Sequence, residues 1–234
     1  MNKYVVVIPT YNNFNTIQAV VNDVLSYKYP LIVVDDGSST PLSTLLQANE
    51  LLTVLQHEHN KGKGEAITTG TAYAKKMGYT HVVTLDGDGQ HLASEISKLI
   101  AVSAGNEIII GARNLNLTHV PMGSKFGRWF SNFWACWDTG FSITDSLSGF
   151  RIYPISILEL AIKTKRFDWE MEVLVRHAWN KGLIQEVYIE CYYPNPEERV
   201  SHFRKFKDTM AIVWVHVQML PIKWLTSFFN LFRK

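Results

Sequence analysis

Cysteine is scarce: Cys136 and Cys191 are the only two in 234 residues, far apart and in no metal-type spacing. This excludes a disulfide framework and a cysteine zinc site, and it points to a reducing compartment such as the cytosol. An excess of either charge is also lacking. The 23 Lys and Arg face 21 Asp and Glu, a net of +2, which does not point to a general nucleic-acid binder. Gly and Pro number 14 and 8, too few for a low-complexity chain, and with 47% hydrophobic and 19% charged residues the composition is globular. Long clean apolar runs are missing too. The run Tyr4–Ile8 stops at Pro9 and reads as no signal peptide. The stretch from Met210 to Phe232 is interrupted by His216, Gln218, Pro221, Lys223 and Asn230, short of the about 20 apolar residues of a membrane-crossing helix. It is expected to form short amphipathic helices lying on a partner subunit or on a membrane surface.

What is present is alternation. Apolar runs at Tyr4–Ile8, Leu31–Val34, Leu51–Gln56, His81–Leu85 and Glu107–Gly111 predict strands. Between them, Thr16–Leu25, a segment after Pro41, Glu65–Met77 and Ala93–Val102 predict helices. Buried strands alternating with amphipathic helices imply an α/β fold, a mostly parallel sheet flanked by helices, with ligands bound beyond the carboxyl ends of the strands. After residue 112 the pattern is less regular: an aromatic helix over Phe126–Phe141, a helix over Phe167–Trp179, a strand over Val187–Tyr193 and a basic stretch over Val200–Lys207.

Polar clusters sit at the expected strand ends. Asp86-x-Asp88, on a Gly-rich turn followed by Gln90, offers oxygen ligands for a hard cation such as Mg²⁺ or Mn²⁺; equally, such a turn could cap the next helix. Asp35-Asp36 could hold ribose hydroxyls or base edges, or form an Asx-turn. Asn60-Lys61-Gly62-Lys63-Gly64 precedes a helix, whose amino end favours anions, and suits phosphate. No P-loop and no Gly-x-Gly-x-x-Gly follows the first strand, which disfavours standard kinases and dehydrogenases. His57, His59 and His81 flank strands and are read as packed or solvated rather than as ligands.

These segments, Val7-Ile8-Pro9-Thr10-Tyr11-Asn12, Val33-Val34-Asp35-Asp36-Gly37-Ser38, Asn60-Lys61-Gly62-Lys63-Gly64 and Asp86-Gly87-Asp88-Gly89-Gln90-His91, resemble in order and spacing the family 2 glycosyltransferases. With Gly111-Ala112-Arg113, Asp145 to Arg151 and Arg199 to Lys207, the similarity extends to the polyprenyl- and dolichyl-phosphate mannosyl- and glucosyltransferase branch. The resemblance implies a GT-A catalytic domain over 1–207, with a nucleotide-sugar half (1–112), an acceptor half (113–207) and an amphipathic tail (208–234). It implies an inverting hexosyltransferase using a GDP- or UDP-sugar. Pro9, Tyr11, Asp36, Lys63 and Asp86 would bind the donor, and Asp86, Asp88 and Gln90 would hold Mg²⁺ or Mn²⁺. Arg113, Arg128, Ser148, Arg151, Ser201 and Arg204 would grip an acceptor phosphate, with Asp88 and Arg151 counted among the catalytic groups.

A lipid phosphate is its own nucleophile, whereas a hydroxyl acceptor needs a general base. The base candidates are Asp145, Glu170 and Glu172. On the expected helix Glu170 shares a face with Phe167, Met171 and Leu174 and is the preferred one, while Glu172 faces Arg176 as a surface pair. The Trp-rich stripe at 129–141 is either core or an interfacial helix. Between Glu197 and Lys234 seven Lys and Arg oppose three acids, a local net of +4, which favours anionic lipid. Peripheral contact with the inner face of the cell membrane is expected, and the apolar tail offers a surface for homo-oligomer formation.

Overall fold

The computed structural model describes residues 2–113, 122–192 and 207–219, with the backbone alone over 122–126. Its elements in chain order are β1 (Tyr4–Thr10), α1 (Ile17–Ser26), β2 (Leu31–Asp35), β3 (Leu52–Gln56), α2 (Lys63–Lys76), β4 (His81–Thr84), α3 (Ile96–Val102) and β5 (Ile108–Arg113). They continue with α4 (Met122–Thr139), β6 (Arg151–Pro154), α5 (Trp169–Trp179) and β7 (Ile184–Ile189), then a last helix, α6, at 207–219. The strands form one seven-stranded sheet in the order β3-β2-β1-β4-β6-β5-β7. Pairings are parallel except those of β6, which runs antiparallel to both β4 and β5.

Alternating side chains explain why β1 and β2 are apolar throughout. Val5, Val7, Ile32 and Val34 point into a core under α2, α4, α5 and α6, whereas Val6, Ile8, Leu31 and Val33 point into a second core under α1 and α3. A strand covered on both faces has no solvent side on which to place polar residues.

Several boundaries differ from the sequence reading. The segment after Pro41 is a single 3₁₀ turn, Leu42–Thr44, and another 3₁₀ turn, Ala93–Glu95, precedes α3. The last strand is Ile184–Ile189 rather than Val187–Tyr193. β6 was not foreseen: four residues, Arg-Ile-Tyr-Pro, carry too little alternation to announce a strand. α6 packs as part of the main body, with Ile212, Val215 and Met219 in the core. His216 Nδ1 lies 2.6 Å from Asp138 Oδ2, and its ring stacks on Trp134 with centroids 5.9 Å apart.

Candidate active site

All parallel strands deliver their carboxyl ends to one edge of the sheet, and a cleft of about 860 Å³ opens there. β1 leads into Pro9, Tyr11 and Asn13, β2 into Asp36, β4 into Asp86, Asp88 and Gln90, and β5 ends on Arg113, all of which line the cleft. The antiparallel β6 places its beginning at this same edge, so the preceding loop and Gly149 join it. The start of α2 contributes Lys63, α4 Arg128, and the entry to α5 Arg166, Phe167 and Glu170.

Local chemistry holds these loops. Asn12 takes a positive φ of 52°, which Asn tolerates, and it is locked to the β2 turn by Ser38 Oγ accepting its N–H at 2.9 Å. Asp35 follows the turn alternative: it accepts the N–H groups of Ser38 at 2.9 Å and Leu42 at 3.1 Å. Asp36 lines the cleft, but its carboxylate is largely engaged within the protein. It accepts N–H bonds from Lys61 (2.9 Å) and Gly62 (2.7 Å), and His57 Nδ1 lies 2.7 Å away. Gly62 is required here: its φ is +108°, and a Cβ would sit 2.6 Å from the Lys165 carbonyl oxygen.

The acidic pair sits beside a buried ammonium. Lys63 Nζ is 2.7 Å from Asp86 Oδ1 and 3.1 Å from Glu170 Oε1. For Asp86, burial alone would raise its pKa, but Lys63 and then His91 outweigh it and the net shift is downward. Asp88 goes the other way: burial and the neighbouring Asp86 charge push it up to about 6. Its Oδ1 accepts the Gln90 N–H at 3.0 Å. Burial drives His91 down to about 4, so at neutral pH it is an uncharged ring against the acidic loop, its Nε2 3.8 Å from Asp86 Oδ2.

At the end of β5, Arg113 Nε and Nη2 donate to the two carboxylate oxygens of Asp145 at 2.7 and 2.8 Å. Burial would raise Asp145, but the Arg113 hydrogen bond and charge reverse this and its pKa is lowered.

Several expected site residues are therefore placed elsewhere. Asp145 is fully buried under Arg113 and does not reach the cleft as a base. Arg151 is fully buried. Its guanidinium donates to the carbonyls of Ser148, Ser146 and Glu170 at 2.7, 2.7 and 2.9 Å and to Tyr153 Oη at 3.2 Å, so it ties three segments together instead of gripping a ligand. Ser148 is likewise buried and donates to the Gly111 carbonyl at 2.6 Å. Glu172 is no surface residue: its buried carboxylate pairs with Arg176 and accepts the N–H groups of Lys163 and Thr164 at 3.0 and 2.8 Å. Ser201 and Arg204 lie outside the described residues. His91, Arg166 and Phe167 line the cleft without having been singled out. The sequence signal for His91 is its place at the end of the acidic motif, and that for Phe167 its expected helix face beside Glu170.

Acidic loops and arginines gather at the carboxyl edge of an α/β sheet, the place where such folds bind their ligands. The family profile "Glycosyl transferase family 2" matches residues 5–130, more than half of the chain. The UDP-N-acetylglucosamine–dolichyl-phosphate N-acetylglucosaminyltransferase of Methanococcus voltae is 31% identical over 212 residues, covering 80% of this chain and 84% of that one. The polyprenol monophosphomannose synthase of Mycolicibacterium smegmatis is 30% identical over 210 residues, covering 79% and 75%. Among solved structures, glucosyl-3-phosphoglycerate synthase from Mycobacterium tuberculosis, in complex with Mn²⁺ and UDP-glucose, superposes with a TM-score of 0.71 at 16% identity, covering 93% of this chain and 79% of that one. The chain belongs to glycosyl transferase family 2 and is a glycosyltransferase with the GT-A fold.

Proposed function

We propose that the protein transfers a hexose from a nucleoside diphospho-sugar to a polyprenyl-phosphate-type lipid, with inversion at the sugar's anomeric carbon. The observation that carries this reading is the cleft itself, which Asp86 and Asp88 line together with Arg113 and Arg128. The first pair suits a cation-bound diphosphate, the second an acceptor phosphate. The named activities of the Methanococcus and Mycolicibacterium relatives support both halves.

Asp86, Asp88 and the Gln90 amide are hard oxygen donors that fit Mg²⁺ or Mn²⁺. Among the described residues no group of three or more His, Cys, Asp and Glu gathers for a metal. Two carboxylates and one amide would leave the remaining positions of such a cation to diphosphate oxygens and water. A divalent cation bound there would neutralise charge on the departing diphosphate. Pro9 and Tyr11 flank the nucleoside end. The acceptor phosphate, largely dianionic at neutral pH, attacks the anomeric carbon with its own oxygen. A new carbon–oxygen bond forms as the bond to the diphosphate breaks, and the electron pair leaves with the nucleoside diphosphate. No proton has to be removed, in keeping with the ion pair that occupies Glu170.

The outer face of the α4–α6 pair supports peripheral contact with the inner face of the cell membrane. Trp129, Phe133 and Trp137 on α4 and Met210, Trp214 and Val217 on α6 are exposed by 45 to 62%, while the same two helices turn Arg128 and Ile212 into the cleft. A Trp-rich face continuous with a phosphate site suits a bilayer surface. Among the described residues no helix is long and apolar enough to cross a membrane.

The test is thermal unfolding against UDP, GDP, CDP and dTDP, with and without Mn²⁺, followed by transfer to a polyprenyl phosphate from the matching sugar nucleotide. Stabilisation by one nucleotide only when Mn²⁺ is present, with label appearing in an alkali-stable, acid-labile lipid, is the expected result. Transfer to a hydroxyl acceptor alone would overturn the acceptor assignment.

A further inference from the structure

Lys63 opens α2 with its side chain buried, 12% exposed, between two carboxylates of different expected fates. Asp86 belongs to the cation-binding loop, whereas Glu170 sits in the first turn of α5, its backbone carbonyl held by Arg151 at 2.9 Å. The Phe167 ring lies below the ammonium, centroid 5.7 Å away.

The backbone makes room for this arrangement at one place, Gly149. A Cβ there would lie 2.4 and 2.8 Å from the two Asp86 carboxylate oxygens and 2.7 Å from Lys63 Nζ. Gly149 does not take a positive φ, so conformation does not demand glycine; space does. Its backbone has no freedom to retreat, because Thr84 donates to its carbonyl at 2.8 Å and β6 begins two residues on. The Lys63–Asp86 pair is thus seated in a notch left by a missing side chain.

We propose that Lys63 is a resident counter-ion that a divalent cation displaces from Asp86, and that the displaced ammonium, still held by Glu170 and Phe167, turns to the incoming diphosphate. This rests on the reading of the cleft as a cation and diphosphate site. The physical basis is short. A dication ligated by Asp86 would stand a few ångströms from a buried ammonium, and like charges poorly screened by water repel strongly at that range. Once displaced, the ammonium remains at the amino end of α2, where the helix dipole also favours a phosphate anion. Lys63 therefore opposes the cation when the donor is absent and supports the donor once the cation is in, which couples the two binding events.

The prediction has opposite signs for the two ligands, which a purely structural lysine would not give. Mn²⁺ alone is titrated into wild type, Lys63→Met and Lys63→Arg, reading free Mn²⁺ by electron paramagnetic resonance. UDP and GDP are then titrated at saturating Mn²⁺. Lys63→Met is expected to bind Mn²⁺ alone roughly tenfold more tightly and the nucleotide roughly tenfold more weakly, with Lys63→Arg close to wild type for Mn²⁺. Should Lys63→Met fail to give a cooperative melt, Lys63→Gln, which keeps a donor for both carboxylates, carries the same expectation. Folded neutral variants with unchanged or weaker Mn²⁺ affinity overturn the exchange while leaving the site reading intact. Wild type that binds neither nucleotide with Mn²⁺ overturns the site reading itself.

Discussion

Arg113 is clamped to Asp145 by two parallel hydrogen bonds of 2.7 and 2.8 Å, with Asp145 fully buried beneath it. The pair fixes one guanidinium at the cleft wall, and a planar guanidinium so fixed is suited to a phosphate. Asp145→Asn should raise the acceptor's KM several-fold through a loosened Arg113, without moving either limb of the pH–rate profile. It should also lower the melting temperature, since a buried pair losing one partner costs about 3–5 kcal/mol. Loss of a pH limb would instead make Asp145 a proton-transfer group.

Asp88 gives a pH prediction of definite sign. Its carboxyl is raised from 3.8 to about 6 on folding, so the folded protein holds that proton more tightly than the unfolded chain. Ionisation therefore costs stability above pH 6, and the cost disappears below about pH 4. Asp88→Asn, neutral throughout, should melt several degrees higher than metal-free wild type at pH 8, a gain of up to about 3 kcal/mol, and little higher at pH 4. Mn²⁺ affinity of wild type should fall as pH drops below about 6, because protons compete for the same carboxylate. Melting curves at the two pH values and Mn²⁺ titrations across the range check both halves.

Glu170→Gln separates a base from a holder. Because Glu170 Oε1 sits 3.1 Å from the Lys63 ammonium and the acceptor phosphate needs no deprotonation, the variant should retain the wild-type pH profile. Its loss should fall mainly on the donor's KM, through a less firmly held Lys63. A collapse of kcat by about 10³ or more, in the range of a lost general base, would favour a hydroxyl acceptor.

The α4–α6 face predicts lipid binding. Replacing Trp129, Phe133 and Trp137, each about half exposed or more, by Ser should reduce sedimentation with anionic phospholipid vesicles by roughly tenfold. Activity on a short-chain, water-soluble acceptor phosphate should be kept, since these side chains point away from the cleft. Equal vesicle binding by the triple variant would remove this face from the membrane reading.

Much of this architecture was legible in the chain. Apolar runs at β1, β2, β4 and β5, punctuated by Pro9, Asp36, Asp86 and Arg113, announced a parallel sheet and set the polar loops at one edge. The same logic failed for Arg151, Ser148 and Asp145, which the motif placed with the ligand and the structure places beneath it. A motif read along the chain does not distinguish a residue that touches a phosphate from one that shapes the loop that does.

Periodicity and turn chemistry are local, so the sequence by itself determined most of the strands and helices and which loops carry acid or base, while short β6 and the turn after Pro41 escaped it. The tertiary structure alone decided which charged groups face the cleft. Arg151 is buried because carbonyls from residues 146, 148 and 170 converge on it, and desolvating a guanidinium is tolerable only where such acceptors meet. Lys63 finds Asp86 and Glu170, 23 and 107 positions onward, in a notch left open by Gly149. Those encounters depend on segments distant in the chain sharing one small space, and no spacing within the sequence encodes them.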